Sequence, residues 1–165
     1  MAEQIDTGTD ELLATLQAGV LTLTMNRPEA RNSLTGKMTR ALAAQLDDAE
    51  LNTDVRCVVL TGAGKGFCAG GDVKGMAARR DDAETTGGAV KDTIDEAVHR
   101  QRIDQRATAG RLYSMPKPTI AVLPGAAAGA GLSLALACDM RIMASTAIMT
   151  TAFAKVGFSG DYGGT

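Results

Sequence analysis

The stretch from Pro116 to Arg141, PKPTIAVLPGAAAGAGLSLALACDMR, limits the possible folds more than any other part of the chain. From Pro118 to Cys138 it carries no charge. That length is enough to cross a bilayer, and Gly125 to Gly129 (GAAAG) has the small-residue spacing of packed membrane helices. The internal punctuation argues otherwise. Thr119 to Leu123 is a short β-branched run stopped by Pro124-Gly125, and a helical Leu/Ala pattern begins only after Gly129-Ala130-Gly131. Ala and Gly also insert weakly into lipid. A strand, a glycine turn and a buried helix is therefore the expected arrangement. A turn built from Ala128, Gly129, Ala130 and Gly131 has almost no side-chain bulk, so a ligand can reach the N–H groups that open the helix. That is the geometry of an anion or oxyanion site.

The 165 residues, 45% of them hydrophobic, suffice for one domain with a real core, 1–165. Aromatic residues are scarce and glycines number 19, so that core must pack small side chains and close backbones, as α/β proteins with glycine-rich ligand loops do. The net charge of −2 with interspersed signs announces no face for nucleic acid or for a membrane. Cys57, Cys68 and Cys138 are odd in number, lie in apolar surroundings and form no CxxC pair. They point to a reducing, cytoplasmic setting, to core packing and to no zinc site. The polar, acidic start MAEQIDTGTDE carries no secretory or organellar address.

Leu12 to Gln17 and Val20 to Met25 flank Ala18-Gly19 and predict a hairpin, with Leu21, Leu23 and Met25 on one face. Asn26-Arg27-Pro28 ends it. Lys37 to Leu51 is helical by spacing, with Met38, Leu42, Leu46 and Ala49 on one stripe. Val55 to Thr61 is a strand expected to be buried from Cys57 to Leu60, and it runs into GAGKGFCAGGDVKGM. Six glycines among those fifteen residues mean that something approaches the backbone closely. Neither nucleotide fingerprint fits: Phe67 stands where GxGxxG needs its third glycine, and Lys65 precedes Gly66 rather than Ser or Thr.

Ala77 to Gly88 reads as a surface loop, and Ala89 to Ser114 as a long amphipathic helix with Val90, Ile94, Val98, Ile103, Ala107 and Leu112 inward. His99 is expected in solvent, since no carboxylate or cysteine is spaced to orient it. Met140 to Ala144 and Ala147 to Thr151 are short strands, Phe153 to Val156 a turn or short helix, and Met143 and Met149 core residues. The glycine-rich run Gly157 to Thr165 reads as the opening of a further helix, so the chain is expected to be a fragment of a longer one.

Three stretches, NRPEARNSL (Asn26 to Leu34), KGFCAGGDVKGM (Lys65 to Met76) and PGAAAGAGLSLALACD (Pro124 to Asp139), together resemble the crotonase superfamily, the enoyl-CoA hydratase/isomerase family. Their order and spacing match over essentially the whole chain. The resemblance implies an α/β crotonase-like spiral of ββα units, here truncated before the C-terminal helices. It implies an acyl-CoA thioester as substrate, no cofactor beyond the CoA of that substrate, and a homotrimer or hexamer. By resemblance, the amides of Gly71 and Ala130 are the oxyanion donors. CoA would run along Ala30, Arg31, Ala69, Gly71, Asp72 and Val73, with Arg27 or Lys74 as phosphate partners or as plain surface cations.

The departures bear on the reaction. In the family register, the two glutamates used by hydratases fall on Ser133 and Phe153, neither of which can serve as acid or base unaided. The chain offers Asp161 instead, where the resemblance to dienoyl-CoA isomerases and to the ring-opening isomerases of phenylacetate degradation implies a proton-shuttling aspartate. A similarly placed aspartate in chlorobenzoyl-CoA dehalogenase is a nucleophile. Asp161 also stands where it can cap a helix, and the two roles are compatible. An enoyl-CoA double-bond isomerase is the expected activity. An enoyl-CoA hydratase and a non-catalytic acyl-CoA-binding homologue are the alternatives.

Overall fold

The hairpin predicted by alternation forms. In the computed structural model, which describes residues 1–72, 93–157, 160, 162 and 163, β2 (Leu12–Gln17) and β3 (Val20–Met25) pair antiparallel from Leu12↔Met25 to Gln17↔Val20. Ala18 and Gly19 take φ of 51° and 81°, the primed turn that suits the strand twist. A short β1 (Glu3–Ile5) extends the pair at its edge.

Helix α1 (Gly36–Leu51) starts at Thr35, whose Oγ1 accepts from the Met38 amide at 3.1 Å. The Thr35 hydroxyl also donates to Glu11, tying the helix start to the entrance of β2. Its far end is capped from a distance: Lys117 Nζ donates to the carbonyls of Ala49 and Asn52, both at 2.6 Å. A cation there satisfies acceptors that the helix leaves over and complements the negative end of its dipole.

From α1 the chain enters β4 (Cys57–Gly62), which lies parallel to β3, and then β5 (Thr119–Leu123) and β7 (Met140–Met143), also parallel. The sheet order is β1-β2-β3-β4-β5-β7. Leu21, Leu23, Val58, Leu60, Ala121 and Leu123 line its buried face, and Met38, Leu42 and Leu46 of α1 belong to the same core. The expectation of a fully buried run from Cys57 to Leu60 is corrected. Val58 and Leu60 are buried while Cys57 and Val59 are only half-buried, because among the described residues helices cover one face of β4.

Helix α2 (Ile94–Gln105) opens with a capping box between Thr93 and Glu96. It then passes through a π-helical turn (Arg106–Gly110) into α3 (Arg111–Ser114). The predicted inner stripe fails over most of this length. Ile94 is 83% exposed, Val98 and Ile103 are also exposed, and the residues that reach the core are Thr108, Ala109 and Leu112. None of the twelve residues Ile94–Gln105 is buried, so no face of this helix meets the core among the described residues, whereas Leu112, past the π turn, is buried as predicted and Ala107 is half-buried. Val90 lies outside the described residues. Arg111 fastens this end to α1 through Asp47, at 2.8 Å, and Glu50.

The uncharged stretch resolves as expected into β5, a turn carrying β6 (Ala127–Ala128), and α4 (Ala130–Ala137). β6 pairs with β8 (Met149–Thr150) in a second, two-stranded sheet, and a 3-10 turn (Ala152–Val156) follows. No helix among the described residues is long and apolar enough to cross a membrane. Met149 is half-buried against the core, but Met143 is 44% exposed. The expectation that Met143 is a core residue is thus overturned, because β7 is the sheet edge and all four of its residues are open. The Cys138-Asp139-Met140-Arg141 corner is a cap. Thr119 N and Oγ1 donate to Asp139 Oδ2 at 2.8 and 3.1 Å, Asp139 N donates back to Thr119 Oγ1, and Arg141 Nη1 donates to the Cys138 carbonyl at 2.7 Å.

Candidate active site

Where β3 stops at Asn26-Arg27-Pro28, the chain makes a 3-10 turn (Pro28–Ala30) and then places Arg31 and Asn32 in succession at φ of 52° and 55°. Two left-handed residues without glycine need a restraint. Asn32 supplies it. Its side chain is fully buried, Oδ1 accepts from the Arg27 amide at 2.9 Å, and Nδ2 donates to the carbonyls of Ala63 and Gly66, each at 2.9 Å. One amide side chain thus joins the turn after β3 to the glycine loop after β4. The fit is close, since a Cβ on Gly62 would stand 2.6 Å from Asn32 Nδ2. Sequence reasoning quoted this asparagine without giving it a role. Its signal was there: asparagine tolerates the left-handed region and carries both donor and acceptor. Asn32→Ala strands three partly buried backbone groups and is expected to cost about 3 kcal/mol of stability, read as a lower denaturant midpoint at unchanged slope.

Beyond Asn32, segment 31–34 runs beside segment 69–72. Ala69 N donates to Arg31 O at 3.0 Å, Leu34 N to Gly70 O at 2.8 Å and Asp72 N to Leu34 O at 3.1 Å. On its other side the glycine loop meets β6, with Ala128 N donating to Cys68 O at 2.9 Å and Cys68 N to Ala126 O at 3.2 Å. The loop is a strand in all but length, held between the NRPEAR turn and the start of α4. Gly70, at φ 94°, faces that start: a Cβ there would lie 3.0 Å from Ala128 O and 3.3 Å from Ala130 N. Close packing continues at Gly131, where a Cβ would come within 2.7 Å of Cys68 Cβ.

Two backbone donors of this region find no acceptor among the described residues. In the bridge between Leu34 and Gly71, the bonds to Leu34 use Gly70 O and Asp72 N. The Gly71 N–H therefore turns away from Leu34 and finds no acceptor among the described residues. Ala130 is the first residue of α4, so its N–H has no acceptor within the helix and none elsewhere among the described residues. Gly71 is exposed while Ala130 is buried.

The other expected site residues sort as follows. Ala30, Arg31, Ala69, Gly71 and Asp72 come together on the two adjoining segments. Arg27 is no free surface cation, since its Nη1 lies 3.2 Å from Asp72 Oδ2 and also donates to Ser33. Val73, Lys74, the segment 77–88 expected as a surface loop, and Asp161 lie outside the described residues. Ser133 is buried one turn into α4, with Oγ 3.4 Å from the Gly129 carbonyl, and Phe153 is half-buried in the last 3-10 turn. His99 is in solvent, as expected. Burial pushes the thiols of Cys68 and Cys138 up to about 12, so neither is a nucleophile at neutral pH. No cluster of metal-binding side chains occurs among the described residues. Two surface concavities, one between the Thr7–Asp10 loop and α1 and one around His99 and Arg102, share no residue with the Gly71–Ala130 region.

Known proteins give this geometry a context. Residues 15–165 match the family model described as enoyl-CoA hydratase/isomerase. The chain is 40% identical over 154 residues to the 1,2-epoxyphenylacetyl-CoA isomerase of Escherichia coli, covering 93% of this chain and 55% of that protein. Among solved structures it superposes with a TM-score of 0.76 on an enoyl-CoA hydratase from Mycobacterium avium subsp. paratuberculosis, at 30% identity, covering 94% of this chain and 55% of the other. An enoyl-CoA hydratase from Polaromonas gives a TM-score of 0.74 at 37% identity, covering 92% and 55%. The chain thus spans about half the length of the curated relatives it matches. With the family model matched over nearly all of its residues and a crotonase-type α/β architecture, the chain belongs to the enoyl-CoA hydratase/isomerase family of the crotonase superfamily.

Proposed function

We propose that the protein is a crotonase-type enzyme acting on an acyl-CoA thioester, and that its reaction is migration of a double bond rather than addition of water. Removing a proton beside a thioester drives negative charge onto the carbonyl oxygen, and the amides of Gly71 and Ala130 are the donors that meet it. The observation that carries this reading is the pair of N–H groups, beside the Gly70–Ala130 approach, that find no acceptor among the described residues. Backbone donors aimed at a developing oxyanion need no reorganisation during the reaction, which is what makes them effective.

Asp161 is the proposed acid/base. It takes a proton from one carbon of the acyl chain and returns it to another, so one carboxylate suffices. Hydration needs a water activated as well as a carbon protonated, and the buried Ser133 and the apolar Phe153 supply no carboxylate for it. The name of the Escherichia coli relative, an isomerase of an acyl-CoA, supports this side. The names of the two solved structures favour a second reading, enoyl-CoA hydratase. The CoA moiety runs along Ala30, Arg31, Ala69, Gly71, Asp72 and Val73, no cofactor beyond it takes part, and the complete protein works as a cytoplasmic trimer or hexamer.

The test uses the full-length protein with 2-enoyl- and 3-enoyl-CoA in the same tubes. Migration leaves the mass unchanged and alters the absorbance of the conjugated thioester, whereas hydration adds the mass of one water. Interconversion of the two isomers is expected, with hydration at least ~100-fold slower, the scale of one missing acid/base group. Hydration as fast as migration would move the assignment to hydratase, and binding without turnover would leave only an acyl-CoA-binding role.

A further inference from the structure

Two of the glycine-rich site's segments meet at one guanidinium nitrogen. Arg27 Nη1 donates to Ser33 O at 2.9 Å, to Ser33 Oγ at 3.1 Å and to Asp72 Oδ2 at 3.2 Å. Both charged side chains are largely buried, 20% and 17% exposed. A pair in that position differs from a surface ion pair of negligible worth, because each partner, once desolvated, depends on the other. What it joins matters more than its strength. Ser33 precedes Leu34, and Asp72 follows Gly71.

The Gly71 N–H belongs to the same peptide group as the Gly70 carbonyl. A trans peptide points these two groups in opposite directions, so the bond from Leu34 N to Gly70 O also sets the aim of the Gly71 N–H. On the next peptide, Asp72 N is bound to Leu34 O. Two successive glycines would otherwise leave this backbone free to rotate. The Arg27 clamp lies outside these bonds and holds together the two segments that make them. We propose that the Arg27–Asp72 ion pair is a positioning device for the oxyanion donor, fixing the plane of the Gly70–Gly71 peptide so that its N–H faces the thioester oxygen. This rests on the oxyanion role given to Gly71 above. Arg27 and Asp72 act here through the backbone, as positioning residues.

The experiment takes the full-length enzyme and its Arg27→Ala, Arg27→Lys and Asp72→Asn variants. Each is assayed on an enoyl-CoA and on the matching enoyl-pantetheine, which lacks the nucleotide and its phosphates. The red shift of a bound dienoyl-CoA chromophore reports polarisation of its carbonyl. Loss of the pair is expected to lower kcat by about 10- to 100-fold, the scale of a small misplacement at a reacting centre. The factor should be the same for both substrates, the red shift should shrink, and added guanidinium should restore part of it in Arg27→Ala. If Arg27→Ala does not fold, the isosteric Asp72→Asn carries the test. A rise in KM confined to the CoA substrate, with kcat and red shift intact, would make Arg27 a phosphate contact and overturn the proposal. So would variants with unchanged kinetics. A wild-type enzyme that produces no red shift at all would instead remove the oxyanion reading itself, a result visible before any variant is made.

Discussion

Ala130→Pro is expected to yield a folded protein whose kcat/KM is about 10²- to 10³-fold lower, the loss typical of one oxyanion donor. The substitution suits the site because Ala130 is the first residue of α4. Proline is favoured there, since its fixed φ matches the helix and the N–H it lacks would have had no helical partner. Gly129 before it is extended in mirror image, at φ 53° and ψ −126°, outside the right-handed α region that proline forbids to its predecessor. The change therefore deletes a donor while leaving the helix its other bonds. The ring also places carbon where the amide hydrogen stood, close to Gly70, so a weaker Kd for the acyl group is part of the expected result. Far-ultraviolet dichroism and the thermal midpoint check the fold, and kcat/KM on an enoyl-CoA checks the donor. A folded Ala130→Pro enzyme with wild-type turnover would show that this N–H faces no oxyanion.

The sequence pattern reads best where local physics decides alone. Alternation set β2 and β3, the Met38–Leu42–Leu46–Ala49 stripe set α1, and the Pro-Gly and Gly-Ala-Gly punctuation divided an uncharged segment into strand, turn and helix. It misleads where no described residue covers an apolar face. Ile94, Val98 and Ile103 are spaced as a buried stripe is spaced, and Met143 sits in an apolar strand, yet all four are exposed. Spacing reports which residues share a face and says nothing of whether that face is covered.

The site shows the same division. Glycines flagged the close backbone approach, and the structure bears this out at Gly62, Gly70 and Gly131. Of the side chains that tie that backbone together, Asn32 was visible only as a letter of a motif, and Arg27 and Asp72 only as contacts for CoA or surface charge, never as a pair. Asn32 reaches the carbonyls of Ala63 and Gly66, 31 and 34 residues on, and Arg27 reaches the carboxylate of Asp72, 45 residues on, and one sequence does not reveal which distant group a side chain will meet. That is why Arg27 stands in the sequence as a phosphate partner or a plain surface cation and in the fold is a tie between segments.

Asp161→Asn is expected to abolish double-bond migration to the extent of about 10²- to 10⁴-fold in kcat, the range for a lost general acid/base, with little change in acyl-CoA affinity. The amide was chosen because it separates the two roles open to this residue. Asparagine caps helices about as well as aspartate, so a purely capping Asp161 would give a variant of nearly unchanged stability and full activity. Asp161→Ala removes both functions and is expected to lose about 1 kcal/mol of stability besides turnover. Activity that falls equally in both variants while stability falls only in the second identifies chemistry at the carboxylate. Hydration measured in the same tubes adds a further discrimination. Hydration that persists in Asp161→Asn would mean that another group supplies the proton, and the isomerase reading would then give way to hydratase. Loss of migration with Kd retained would instead tie the reaction to one carboxylate working against two backbone donors, the smallest set able to move a proton between two carbons of a thioester.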